Sequence, residues 1–179
     1  ISTDKEYKFI VFYNNRNIVR KNLNDLIDGY IRFMQKIGKE NADNCLLLLK
    51  TDPVDPNGSN IIDVAQKLGK INNVMSDIRI INDKLTDEEL NYLYNKADVT
   101  MNVASKEGWG LSSTESMMAG TMIINTVTGG LQDQCRFENK TGKWLSVLKS
   151  ENEFKDLAHG NWVIPIYPRT RSIIGSQVT

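Results

Sequence analysis

Histidine occurs once in this 179-residue sequence, cysteine twice and proline four times. His159, the lone histidine, sits in a poorly patterned tail and reads as structural or exposed rather than catalytic. Cys45 and Cys135 lie far apart, which gives neither a disulfide framework nor a metal-ligand spacing and points to a reducing cytoplasm. An excess of charge is missing too. Lysine plus arginine equals aspartate plus glutamate at 22 each, so no global field draws in nucleic acid or a membrane surface, and any basic site has to be local. No apolar run approaches the length that spans a bilayer, and there is no internal repeat or low-complexity tract. A signal peptide is absent and the first residue is Ile1, so the expectation is a piece cut from a longer chain.

Hydrophobic residues make up 40% of the chain and charged residues 25%, as in an ordinary globular domain. Lys8–Asn14, "KFIVFYN", is short, apolar and rich in strand formers. Leu23, Leu26, Ile27, Tyr30, Ile31, Met34 and Ile37 then recur at three- and four-residue steps, the apolar face of a helix that Gly38 can stop. Cys45–Lys50, "CLLLLK", runs apolar without alternation, as a strand covered on both faces does. "TDPVDPNGSN" is a loop whose acids Asp52 and Asp55 read as solvated. Ile61–Leu68 reads as a helix and Ile78–Ile81 as a strand. In "LTDEEL", Thr86 and Glu89 make a capping box and Leu85 and Leu90 a hydrophobic staple, so a helix starts there and runs to Ala97. Val99–Val103 is a fourth strand, 111–119 a helix ended by Gly120, and Thr121–Asn125 a fifth strand. Met117, Met118 and Met122 read as core. "ENEFKDLA" reads as a helix, and the Pro-broken remainder from 161 has no assignment. Strands alternating with helices predict an α/β fold with a doubly wound, Rossmann-like parallel sheet. The whole chain reads as one domain, with 145–179 poorly assigned.

Within this pattern "EGWGLSSTE" stands out, placing Glu107 and Glu115 around two glycines, Trp109 and three hydroxyl residues. It follows the fourth strand and enters a helix, at the carboxyl edge where open parallel sheets bind ligands. A helix start offers unpaired N–H groups, and glycine lets a phosphate come close. Gly108, Gly110, Ser112 and Ser113 suit such a cradle. Carboxylates do not bind phosphate, but they accept paired hydrogen bonds from vicinal diols. A nucleotide sugar carries a diol on each side of its diphosphate, which matches one glutamate on each side of the cradle.

The stretch resembles the E-x7-E motif of the retaining GT-B glycosyltransferases of the "group 1" family. "NNRNIVRK" resembles that family's Gly-Arg-x4-Lys segment, with Arg16 and Lys21 at the right spacing and Asn15 where Gly is usual. "AGTMIINTVTGGLQD" resembles its Gly-x-Pro-Val-Ile…Gly-Gly segment, with Met122 in place of proline, and "NKTGKWL" its later turn. The resemblance covers roughly the first 145 residues as the C-terminal, donor-binding half of a GT-B fold. It implies a nucleoside-diphosphate sugar, on UDP or GDP, as donor substrate, with no tightly bound cofactor. No metal is implied, and the sequence has no Asp-x-Asp triplet. Arg16, Lys21 and Glu107 would act at the reacting centre, the two cations on the diphosphate and the glutamate on the sugar. Glu115 would hold the ribose, and the backbone of Gly108, Trp109, Gly110 and Leu111 would approach sugar and phosphates. Ile81, Lys84 and Leu85 would line the base pocket, with Thr128 and Gly129 at the cleft edge. An N-terminal domain of the same chain would supply the acceptor side, for a glycan, lipid or protein acceptor, and could add membrane association to a cytoplasmic protein. The alternatives are another GT-B enzyme, such as a sugar-nucleotide epimerase or a phosphorylase-like protein, and a non-catalytic nucleotide-binding module.

Overall fold

A computed structural model describes residues 5–73, 77–145, 157–168, 173–174 and 177–178. Six strands form one parallel sheet: β1 (Phe9–Asn14), β2 (Cys45–Lys50), β3 (Asp77–Ile81), β4 (Val99–Asn102), β5 (Met122–Thr126) and β6 (Val163–Ile166). Their spatial order is β3-β2-β1-β4-β5-β6. The chain therefore builds outward from β1 to β3, then returns to the other side of β1 and builds outward again. That is the doubly wound α/β architecture the sequence predicts, and the reversal falls between β1 and β4. Two further two-residue strands, β7 (Ile173–Ile174) and β8 (Gln177–Val178), pair only with each other.

The helices are α1 (Leu23–Ile37), α2 (Lys39–Ala42), α3 (Ile61–Asn72), α4 (Asp87–Lys96), α5 (Leu111–Met118) and α6 (Leu131–Cys135). The apolar face of α1 packs with α3 on one side of the sheet, around Val11, Tyr13, Leu47 and Leu49. Residues of α4 cover the other side, where Leu93 and Tyr94 meet Phe12, Leu46 and Leu48. The neighbouring leucines of β2 thus go to opposite cores, which is why that strand is apolar without alternation. A third cluster joins Ile123, Cys135, Phe137 and Val163, where burial pushes the Cys135 thiol up to about 12.

The start of α4 has the predicted form. Thr86 Oγ1 accepts from the Glu89 N–H at 3.2 Å, the Glu89 carboxylate accepts from the Thr86 N–H at 2.8 Å, and Leu85 and Leu90 pack against one cluster. Thr86→Ala removes one of these bonds. It should cost about 1 kcal/mol and lower the thermal midpoint by about 2–4 °C, as read by circular dichroism.

Several elements differ from the sequence reading. Helix α3 extends four residues past Leu68, to Asn72, and Asn73 closes it in the left-handed conformation that asparagine tolerates. The unassigned tail contributes β6 with Pro165 inside it. Trp162 O accepts from Ile123 of β5 and Ile166 O from Val127 just after it, so the alternate residue Pro165 turns its nitrogen away from the sheet, where an edge strand can lack an N–H. Met118 and Met122 are exposed rather than core, while Met117 packs against the third cluster. Asp55 is buried, not solvated. His159 is exposed at the surface, its ring edge-on to Phe137. The helix expected over "ENEFKDLA" falls on residues outside those described, apart from Leu157 and Ala158; Ala158 makes an isolated bridge with Glu138.

Candidate functional site

At the reversal point the carboxyl ends of β1 and β4 open a cavity of about 420 Å³, lined by Asn14, Asn15, Lys21, Glu107, Trp109, Gly110, Leu111, Ser112 and Glu115. Three segments meet there. The end of β1 supplies the asparagines, the 3-10 turn Val19–Lys21 supplies the lysine, and the β4–α5 loop with the first turns of α5 supplies the rest.

One wall is an ion cluster. The Lys21 ammonium pairs with Glu107 Oε2 and donates to Asn15 Oδ1 at 2.6 Å. Both charged side chains are nearly buried, 7% and 11% exposed. Arg20 reaches the same Glu107 oxygen at 3.3 Å and donates to the Lys106 carbonyl at 2.8 Å. Burial holds the lysine below its ordinary value, and the hydrogen bond and charge of Glu107 offset only part of that. Burial pulls the Glu107 carboxyl up, but Lys21 and Arg20 outweigh it and hold the group below its ordinary value. Asn15 continues the wall by donating to Ser112 Oγ at 2.9 Å. An ammonium has three protons, so Lys21 keeps one beyond its two partners.

A second cluster centres on Glu115. The Tyr94 hydroxyl donates to its Oε2 at 2.6 Å, and Asn14 Nδ2 donates to the same hydroxyl at 2.9 Å. Burial, then the bond to Glu115, raises the Tyr94 phenol, which keeps it a donor at every physiological pH. Both protein bonds of Glu115 go to Oε2, and the residue lines the cavity.

The loop is set by glycine. Gly110 holds a left-handed φ of +86°, where a Cβ would meet Leu131 Cδ2 at 2.5 Å. Behind it Gly129 and Gly130 press on the loop backbone, and a Cβ on either would sit 2.1 Å from a carbonyl, Glu107 O or Gly108 O. The Gly130 N–H donates to Glu107 O at 2.9 Å. Trp109, 49% exposed, is laid against α5 by a 2.9 Å bond from its indole N–H to Thr114 Oγ1.

Lys21, Glu107, Trp109, Gly110, Leu111 and Glu115 thus share one cavity. Arg16 does not line it. Its guanidinium pairs with Asp55 at 2.6 Å and lines a neighbouring concavity with Arg20, Pro56 and Gly58. The Arg16 bond, then the Asn57 N–H, holds Asp55 low. Gly108 sits in the loop with nothing within 4 Å of a built Cβ. Thr128 and Gly129 lie behind the loop; the threonine hydroxyl donates to Ser105 O at 3.0 Å. Ile81 ends β3, two strands from β1, and Lys84 and Leu85 follow it, with Ile81 and Leu85 packed against the cluster that holds Tyr94. Ser113 is fully buried beneath the loop, not part of a cradle. Sequence reasoning missed Asn14, Arg20, Tyr94 and Gln134. The first two had a signal, lying at a strand's carboxyl end and beside Lys21. Among the described residues no three His, Cys, Asp or Glu side chains cluster as metal ligands do, and no helix is long and apolar enough to cross a membrane.

The family model described as "Glycosyl transferases group 1" matches residues 2–157. No curated protein matches the sequence. Among solved structures, the C-terminal domain of a glycosyl transferase group 1 family protein (LpcC) from Francisella tularensis aligns with a TM-score of 0.56 at 18% identity, over 70% of this chain and 61% of that one. WaaG, a glycosyltransferase involved in lipopolysaccharide biosynthesis, aligns at 0.56 and 20% identity, over 73% of this chain and 31% of that one. A structure described as "Trehalose-6-phosphate from E. coli bound with UDP-2-fluoro glucose" aligns at 0.58 and 13% identity, over 70% of this chain and 31% of that one. These likenesses are of fold, and the chain spans less than two thirds of each of these proteins, 61% of the first and 31% of the other two.

Proposed function

The chain belongs to the group 1 glycosyl transferases, and from that premise we propose that its β1–β4 crevice holds the nucleoside-diphosphate sugar of a retaining glycosyl transfer. The observation that carries this is the arrangement of the cavity: two carboxylates held by different partners line it together, with a lysine paired to one of them and the start of a helix. Glu115, held by Tyr94 through one oxygen, offers the other to the ribose hydroxyls. Glu107, held by Lys21 and Arg20, faces the sugar. The third proton of Lys21 and the N–H groups at the start of α5 meet the diphosphate.

In the transfer the bond from the anomeric carbon to the diphosphate oxygen breaks, and negative charge gathers on that oxygen. Lys21 and the α5 N–H groups are fixed before the reaction, so they stabilise that charge without reorganising, which is where such sites gain most of their rate. Arg16 adds its charge from the neighbouring concavity. It does so from its free edge, since Nε and Nη2 are committed to Asp55. UDP or GDP carries the sugar, and the base lies toward Ile81, Lys84 and Leu85. The acceptor wall comes from a second domain, so this chain by itself binds nucleotide without turning over.

Titration of the chain with UDP, GDP and ADP, followed by amide shifts, tests this. One diphosphate should move the amides of Gly110 and Glu115. Glu115→Ala should weaken it by at least about tenfold, as loss of hydrogen bonds to a charged acceptor does. Binding that persists unchanged in both Glu115→Ala and Lys21→Met would place the nucleotide elsewhere and sink the proposal. In the longer protein, the anomeric configuration of the product tests retention.

A further inference from the structure

The loop from Glu107 to Leu111 makes most of the proposed contacts to the sugar donor, yet it contains two glycines and contributes few core side chains. Its backbone oxygens need partners, and one side chain takes two of them. Gln134, on α6 and 4% exposed, donates from Nε2 to Trp109 O at 2.6 Å, to Gly110 O at 3.2 Å and to Thr114 Oγ1 at 3.2 Å. An amide nitrogen carries two protons, so three acceptors share them.

The other end of that amide is fixed as firmly. Gln134 Oε1 accepts from Asn125 Nδ2 at 3.3 Å, Asn125 Oδ1 accepts from Ser113 Oγ at 2.9 Å, and Asn102 Nδ2 donates to Ser113 Oγ at 3.3 Å. Asn102, Ser113 and Asn125 are at most 1% exposed. A polar chain thus runs from β4 through α5 and β5 to α6 and ends on the loop. Such a chain is worth keeping only when every member is satisfied, and its last donors are spent on the two carbonyls that bracket the left-handed turn at Gly110.

We propose that Gln134 is a positioning residue for the sugar-donor site: its amide holds the Trp109 and Gly110 carbonyls inward, and so aims Glu107 and the start of α5 into the cavity. It touches no ligand itself. Without its N–H groups the Trp109 carbonyl turns toward water, because a buried carbonyl without a partner is costly, and the loop rotates with it, while the Gly110 carbonyl keeps the Ser113 and Thr114 N–H groups at 3.0 and 3.2 Å. The proposal rests on the donor reading above, and its test has a readout that needs no ligand.

The test compares Gln134→Met, which keeps length and bulk but has no donor, with the unaltered chain. A core variant such as Ile27→Val is the control for lost stability. Two quantities are read well below the thermal midpoint: hydrogen exchange of the amides from Gly108 to Ser112 without ligand, and affinity for the nucleotide diphosphate that binds best. In Gln134→Met loop exchange should quicken about tenfold and affinity should fall about tenfold, the equivalent of one lost hydrogen bond. The control should change neither, because loop amides exchange through local opening. If Gln134→Met does not fold, Gln134→Asn, which keeps the donors on a shorter arm, is read the same way. Loop exchange no faster than in the control overturns the proposal. If the unaltered chain binds no nucleotide, the donor reading fails, and loop exchange alone decides the role of Gln134.

Discussion

Glu107→Gln lowers the thermal midpoint by about 6–12 °C at neutral pH. The substitution leaves the Lys21 ammonium in the cavity wall without its counter-charge. Breaking a nearly buried pair costs about 3 kcal/mol or more, and each kcal/mol moves the midpoint of a chain this size by about 2–4 °C. Removing both partners, with Lys21→Met and Glu107→Leu together, costs less than the two single changes added, because no charge is stranded. The pH dependence has a definite sign. Glu107 has a lowered folded value, so its contribution is complete above the unfolded value and is lost as pH falls through the folded one. Glu107→Gln abolishes that acid-side loss. Lys21 also has a lowered folded value, and the variant lowers it further, since Glu107 supplied its only upward influences. The native state then sheds the lysine proton at lower pH, and the deficit seen at neutral pH shrinks as the solution is made alkaline. Thermal melts across that range check this. A midpoint unchanged at neutral pH would show that the pair contributes nothing.

Gly130→Ala should abolish nucleotide binding. Its Cβ would lie 2.1 Å from Gly108 O and 2.8 Å from Trp109 Cα. These are backbone atoms, which cannot swing aside as a side-chain tip does, so the loop itself has to move. Overpacking of this kind costs about 1–3 kcal/mol, and misplacing reactive groups by about an ångström costs on the order of a hundredfold. The expected result is a folded chain with a modestly lowered midpoint and nucleotide affinity at least about a hundredfold weaker, measured by titration and circular dichroism together. Gly108→Ala sets the contrast. A Cβ there meets nothing within 4 Å, so stability should hold, and any loss of binding reports a ligand lying against that residue.

The fold was legible wherever burial imposes a period. The heptad-like spacing of α1, the unbroken leucines of β2 and the capping box of α4 are local patterns, and each element stands where its pattern put it. Strand β6 was not legible. Four residues with a central proline carry no period, and only its place at the sheet edge makes Pro165 acceptable. The exposed Met118 and Met122 show the converse, since hydrophobic character alone does not say which face a residue takes. In the cavity, Glu107 and Glu115 could be read from their spacing around a loop and a helix start, and Lys21 from the resemblance of its segment to a family motif. Tyr94 and Gln134 could not, because their roles depend on partners 21 and 25 residues away. A signal that some buried partner must exist was present, but it did not single out Gln134. Asn102 and Asn125 lie in strands of a sheet covered on both faces, and a buried amide there requires a partner. Asp55 carried no such signal, and its hold on Arg16 was invisible in a loop that reads as solvent-facing.

The meeting of β1 with β4 has a kinetic consequence. That seam joins backbone and side chain 88 residues apart at Ile10 and Asp98, and Lys21 and Glu107 are separated by 86. By contrast, α1 and α3 can dock on β1 and β2 with much shorter loops closed. The entropy of closing the long span has to be met before these contacts return anything. The first half of the sheet can therefore gather without the cavity, while the cavity cannot exist without the seam. A ligand that fills it binds only chains in which both halves have joined. It stabilises that state by mass action and slows the seam's opening more than any other local unfolding event.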